Sequence, residues 1–544
     1  MKIITNIIYP AFALFAFACF ALAPQVRAVC QDACLANQNT LQGDDALFSL
    51  TTGFGDTAIG FQALYSNTSG HGNIAVGDQA LYSNIDGIDN TAIGYFTLFS
   101  NLSGTNNTAI GDYGLYSNID GGDNTAIGHS ALASNTTGSE NTATGLAALF
   151  SNTEGFNNTA TGSQALAGNT TGFDNTATGL NALASNTTGS ENTATGLSAL
   201  FSNTEGSNNT AIGNYALEHN TTGSENTATG QGALNSNTTG SDNTATGLNA
   251  LLSNTTGEVN TATGAGALNQ NTTGVSNTAT GFNALSSNTT GDLNTATGQA
   301  ALRNNTTGIS NTATGSSALR VNTSGNDNTA IGHRALDNNP TGSSNIALGF
   351  FAGTNLTTGD NNIDIGNIGV AAESNTIRIG TQGTQTRTFI AGIAGAAVNG
   401  RPVMINSNGR LGTAPCSARY KDEIKPMDAA SEVILALKPV TFRYKKEIDA
   451  DRTPQFGLIA EDVEKVNPAL VARDEQGKPY TVRYDAVNAM LLNEFLKEHR
   501  QVQERQKEID ALKAEVKEQR TLIQKVSARV ELQMPPSQTV ANGR

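Results

Sequence analysis

Three side chains capable of covalent chemistry stand close together at the start of the last quarter of the chain: the thiol of Cys416, the hydroxyl of Ser417 and the amine of Lys421. A hydroxyl or thiol becomes an effective nucleophile when a neighbouring base takes its proton, and a lysine is that base only where its surroundings lower its pKa. By type alone, the same residues would serve equally to begin a strand or a turn. The rest of the chain offers no comparable set. The five histidines, His71, His129 and His219 among them, are scattered through variable positions, and no metal-ligand spacing, phosphate loop or acid pair accompanies them. Acidic turn residues could hold Ca²⁺ weakly, but they shift position from copy to copy, so neither a metal site nor a cofactor is expected. Cys30 and Cys34 form either a small disulfide or two free thiols; their spacing does not choose.

Most of the remaining chain is one motif in register. A glycine returns every seventeen residues from Gly43 to Gly366, within the pattern Asn-Thr-Ala-(Thr/Ile)-Gly-x-x-Ala-Leu-x-Ser-Asn-Thr-Thr-Gly-x-x, and a leucine follows it four places later from Leu47 to Leu336. One such unit buries two or three apolar side chains at roughly 1.5 to 3 kcal/mol each, against about 1 to 2 kcal/mol per residue of backbone entropy. A single copy cannot fold alone; stacked copies can, each covering the next.

The variants point to strands. The positions one and three before the glycine accept Ile59, Val76, Ile110, Ile74 and Ile346, and the alanine between them becomes Asp364 or Arg378 late in the array. Alternation of period two follows, with the flanking pair expected inward and the middle residue outward. Asn73, Asn141 and Asn226 precede the glycine by four places, and Asn67, Asn152 and Asn220 follow it by seven, so parallel coils would stack Asn upon Asn. The expected fold is mainly β: a parallel β-solenoid of 17-residue coils, then a small α+β domain ending in a long coiled-coil helix.

Charge supports an exported, extended protein. Between residues 29 and 400 there are 25 acidic residues against five arginines and no lysine, a net of −20, while the last 144 residues carry 24 basic and 21 acidic groups. An acidic rod repels nucleic acid and anionic membranes. Lys2, the apolar run Ala11–Ala23 and Val26-Arg27-Ala28 read as a secretory signal over residues 1–28, placing the mature protein outside the cell or on its surface, with no membrane span once the signal is removed.

The coil pattern resembles the left-handed β-roll heads of trimeric bacterial adhesins, whose units also read Asn-x-x-Ala-Ile-Gly; Asn375–Gly380, after a shortened step of fourteen, is most similar. Those adhesins end in a membrane-embedded β-barrel, and no such alternation appears near this C-terminus. Between Thr381 and Pro415 the period is lost, and Thr388–Gly392 and Val403–Ile405 are expected as short strands of a neck.

After Cys416 the pattern changes to a helix capped by Asp428 and running to Leu437, a strand Val440–Tyr444, a helix Glu461–Val466, a strand Val482–Tyr484 and a helix from Ala486 to about Gln533. Phe495, Val502, Ile509, Val516, Ile523 and Val530 occupy one core position of a heptad, and Leu491, Leu512 and Val526 alternate with polar residues at the other. A coiled coil, and hence self-association, is expected. Ser417–Ile424, Leu437–Phe442, Phe456–Val463 and Val482-x-Tyr484 resemble, in order, motifs of the peptidase S74 family, the intramolecular chaperone of phage tail spikes and endosialidases. The resemblance implies a domain that brings three chains together, registers a β-rich fibre upstream and often cuts itself off. It assigns the lysine to Lys421 and puts the usual serine, five places earlier, at Cys416, with Ser417 the neighbouring candidate.

The resulting map is a signal peptide (1–28), an N-terminal cap (29–42), the repeats (43–380), a β neck (381–415), the S74-like domain (416–490), the coiled-coil helix (491–533) and a disordered tail (534–544). The expected function is an exported, homotrimeric stalk or adhesin-like binder of an unidentified surface or cell receptor, enzymatic at most toward itself. An ice- or crystal-binding solenoid built on threonine ladders is the alternative, opposed by the inward orientation expected for those threonines.

Overall fold

The computed structural model describes residues 33–34, 36–391, 403–406, 408–413, 415–474 and 476–533. The expected signal segment, the thiol pairing of Cys30 and Cys34, and the tail beyond residue 533 lie outside what is described. Two compact units are present, one ending at Arg387 and one starting at Thr388.

The first unit is a parallel β-solenoid. Three-residue strands recur at Thr57–Ile59, Ile74–Val76 and every seventeen residues to Ile363–Ile365, followed after fourteen by Ile377–Ile379. Together with the rung Thr40–Gln42 and the antiparallel strand Ala33–Cys34 at its edge they form one 22-stranded sheet. Each rung pairs with the next in parallel and in register, as in Thr176↔Thr193 and Ala177↔Ala194. The turns are bonded between coils as well: the Leu64 N–H donates to the Ala80 carbonyl (3.0 Å), and the Thr68 N–H to Ile85 (3.0 Å). Every side of a coil is therefore closed by its neighbour, which explains why the motif must be repeated to fold.

The orientation of the strands reverses the sequence expectation. The middle alanine, Ala58 to Ala347, is fully buried, while the flanking Thr, Ile and Val residues are partly or fully exposed. The interior is narrow. From Ala58 to Ala347 it holds the strand alanine, a turn alanine in most coils and the leucine of the turn; Leu41 takes the alanine's place in the first rung. Tolerance of Ile and Val at the flanking positions thus reflects a roomy outer face rather than a core. Each turn leucine from Leu47 to Leu336 sits in the left-handed region, Leu64 at φ 51° and Leu183 at φ 51°, which costs about 1 to 2 kcal/mol and is offset by burying the whole side chain.

Two glycine columns permit the close stacking. A Cβ on Gly179 (φ 134°) would lie 2.5 Å from the Gly196 carbonyl oxygen, and one on Gly189 would lie 2.4 Å from that of Gly206. The two asparagine columns are present as expected. Asn192 Nδ2 donates to Asn175 Oδ1 (3.2 Å) and the Gly206 carbonyl (2.9 Å), and the Asn192 backbone N–H donates to the same Asn175 oxygen (3.1 Å). In the second column Asn186 Nδ2 donates to Asn169 Oδ1 and the Gly189 carbonyl, both at 2.8 Å. Near the N-terminal end Asp56, an acceptor only, receives Asn73 on Oδ1 and Asn67 on Oδ2, joining both ladders to one carboxylate.

The second unit is built of small antiparallel pairs and helices. Met404–Ile405 pairs with Leu411–Gly412, Val440–Phe442 with Gln455–Gly457, and Val471–Arg473 with Pro479–Val482. Helix α1 spans Ala460–Val466 and helix α2 spans Tyr484–Glu531. Several boundaries differ from expectation. Thr388–Ile390 forms no strand. The segment Asp428–Ala436 is a 3₁₀ helix in which Asp428 is the first residue rather than a side-chain cap. The strand stops at Val482, and Tyr484 begins α2 instead of ending that strand. The core comprises Val463, Leu470, Val471 and Val482, with Leu437, Leu458 and Val487 packed against it.

Candidate functional site

The residues with nucleophilic capacity lie at the N-terminal edge of this second unit. Ser417 caps a single 3₁₀ turn, Ala418–Tyr420; its Oγ accepts from the Arg419 backbone N–H (3.4 Å) and from Arg419 Nε (3.3 Å). Lys421 closes that turn, its backbone N–H donating to the Ala418 carbonyl (3.1 Å). Cys416, Ser417 and Lys421 are all exposed. Among the described residues, no hydrogen bond joins the Lys421 amine to Ser417. The turn brings the three side chains into one short stretch, and in the single chain it supplies no enclosed pocket around them.

Behind this edge stands a tightly specified scaffold. The Tyr484 hydroxyl accepts from the Leu458 N–H (2.9 Å), and a Cβ on Gly457 would meet that hydroxyl at 2.8 Å and the Phe442 ring at 3.2 Å. Phe442, Gly457 and Tyr484, drawn from three separate motifs, are therefore one contact. The buried Ser431 hydroxyl bonds Glu494, Asn493 Nδ2 donates to Ser431 Oγ (2.7 Å), and Lys497 Nζ donates to Glu494 (2.7 Å). Lys497 and Ser431 hold the Glu494 carboxyl below its usual range. This cluster docks the 3₁₀ helix on α2; sequence reading missed it, since nothing in the spacing of residues over sixty positions apart marks them as neighbours.

Two apolar features have no partner among the described residues. A groove of about 520 Å³ is lined by Ile434, Leu437, Phe456, Leu458, Val487 and Leu491, among others, with Phe456 83% exposed at its rim. Beyond it, the heptad residues of α2 project into solvent: Val502, Ile509, Val516 and Ile523 are each 45–64% exposed. A 48-residue helix, roughly 70 Å long at 1.5 Å per residue, carries this apolar seam along its outer length.

Residues 416–472 match the peptidase S74 family, described as chaperone of endosialidase. The S74 match begins at Cys416 and takes in the Ser417–Ile424, Leu437–Phe442 and Phe456–Val463 motifs, while Tyr484 and α2 lie beyond it. No curated protein and no solved structure matches the chain. Among the described residues no cluster of His, Cys, Asp and Glu is arranged to hold a metal, and no helix is long and apolar enough to cross a membrane.

Proposed function

We propose that this protein is an exported homotrimeric fibre whose S74 segment and α2 assemble the chains, with the solenoid as stalk or binding surface for a receptor outside the cell. The observation that carries the reading is the exposed heptad seam of α2 directly after the S74 segment. S74 chaperone domains act in trimer assembly, and a β-solenoid upstream is the kind of product such a device registers.

Self-cleavage belongs to the same proposal. Lys421 acts as base, and Cys416 or Ser417 as nucleophile; assembly supplies the enclosure that the exposed turn lacks, desolvating the lysine so that its amine is neutral. The full chain run on a denaturing gel beside Cys416→Ala, Ser417→Ala and Lys421→Ala tests it. A C-terminal piece starting near residue 416 that disappears in Lys421→Ala and in one nucleophile variant assigns the pair; an intact chain throughout removes the cleavage and leaves assembly.

A second reading has one observation behind it. From Thr142 to Thr314 the residues flanking the strand alanine are Thr in every coil except for Ile212, and they face outward, so the objection to a lattice-binding face falls. Thermal hysteresis of the purified protein would favour it.

A further inference from the structure

Each strand of the solenoid turns its middle residue in and its two neighbours out, so the strands together present two outward columns. No charged residue stands in either column from Thr40 to Ile379, although the region carries 24 acids. The occupants are β-branched almost throughout. Aliphatic residues hold one column near the N-terminal end, Val76, Ile93, Ile110 and Ile127, and both columns near the C-terminal end, where Ile377 is 66% and Ile379 71% exposed. Threonine fills the middle. The strip is bordered by acids, with Asp78 and Asp112 just past the glycine and Asp89 and Asp123 just before the buried asparagine. Another outward run of aliphatics, Ile85, Leu102 and Ile119, is a single column with Asp86 and Asp120 directly alongside, and the leucines just past the glycine, Leu146, Leu180 and Leu248, are interrupted by polar residues.

A strip free of charge and bordered by acids carries the compositional signal of a protein–protein interface, which is depletion of charged residues at its core. The size agrees: 21 parallel rungs from Thr40–Gln42 to Ile377–Ile379 at about 4.8 Å, each strand about 10 Å long, give on the order of 1,000 Å² per copy, beside the ~800 Å² per partner of a stable interface. Two acidic rods approach most easily where neither carries charge.

We infer that this strand face is where copies of the chain meet along the solenoid, the occupant being the same face of the other copies. The inference rests on the homotrimer reading and adds which side of the stalk points to the shared axis. It assigns the Ile and Thr columns to the interior of the assembly and leaves the acidic turns as the surface that meets other molecules.

The test places a photo-crosslinking amino acid, one position at a time, in the full chain at Ile110, at Thr178 and at Thr188, the last being an exposed turn threonine, and measures native mass beside the crosslinked bands. Multimer bands from Ile110 and Thr178 and none from Thr188, in a sample with the mass of three chains, are expected. A three-chain mass with crosslinks from Thr188 alone, or from no position, overturns the face while leaving the trimer. A one-chain mass overturns both, and thermal hysteresis abolished by Thr178→Tyr in that monomer would assign the face to an ice lattice.

Discussion

Replacing Asp364 by alanine, the residue that its column carries in the coils before it, should stabilise the end of the solenoid. Asp364 is 1% exposed, and neither carboxyl oxygen has a hydrogen-bond partner. Arg378 stands opposite it in the next strand, yet its guanidinium is bonded to Glu373 at 2.7 to 3.0 Å. Burial first, and the Glu373 charge second, push the Asp364 carboxyl up from 3.8 to about 6 against the pull of Arg378. Because the folded value lies above the unfolded one, ionisation opposes folding: the cost is absent below the unfolded value, grows as pH rises between the two, and is complete above about 6. A shift of about two units corresponds to about 3 kcal/mol. Hydrogen exchange of Ile363–Ile365 and Ile377–Ile379 should therefore slow in the native protein as pH falls from about 8 to about 5, after correction for intrinsic exchange. Asp364→Ala should be more protected at the upper pH and lose that dependence. The two proteins differ in no other titratable group, so the difference between them isolates Asp364. Equal or lower protection in the variant at pH 8, or an unchanged pH profile, would refute the reasoning.

Other expectations concern the stack and the assembly. Gly179→Ala forces a Cβ to 2.5 Å from the Gly196 oxygen at φ 134° and should cost roughly 3 kcal/mol or more, seen as proteolysis in the middle of the repeats. Asn186→Ala leaves Asn203 and the Gly189 carbonyl short of a partner and should lower the melting free energy by about 2 to 4 kcal/mol, whereas Thr188→Ala, in an exposed turn, should change it by less than about 0.5 kcal/mol. Ile509→Asp, at the middle of the exposed seam, should abolish the three-chain mass while the circular dichroism of the solenoid persists.

Much of the fold was legible because repetition makes local chemistry redundant. The seventeen-residue step, the glycine columns and the Asn ladders each follow from one residue type recurring at one place. The inside and the outside of the strand run against the aliphatic pattern: Ile59 and Ile110 have the residue type of a core, whereas the tube is so narrow there that it takes Ala58 and Ala109 and turns the isoleucines out. Asp364 misled in the same way, since a charged residue suggested an outward position and the structure buries it. The left-handed leucines leave no mark in composition. In the second unit the S74 motifs placed Cys416, Ser417 and Lys421 on one turn, but the scaffold joining Gly457 to Tyr484 and Ser431 to Glu494 depends on contacts between distant residues, which spacing alone does not reveal.

The mass of the purified chain in solution, measured by sedimentation, bears most directly on the proposed fibre. Three chains per particle, falling to one with Ile509→Asp, is the outcome expected from the open seam of α2 and the charge-free strand face. A native chain that sediments as a single copy at micromolar concentration would contradict it.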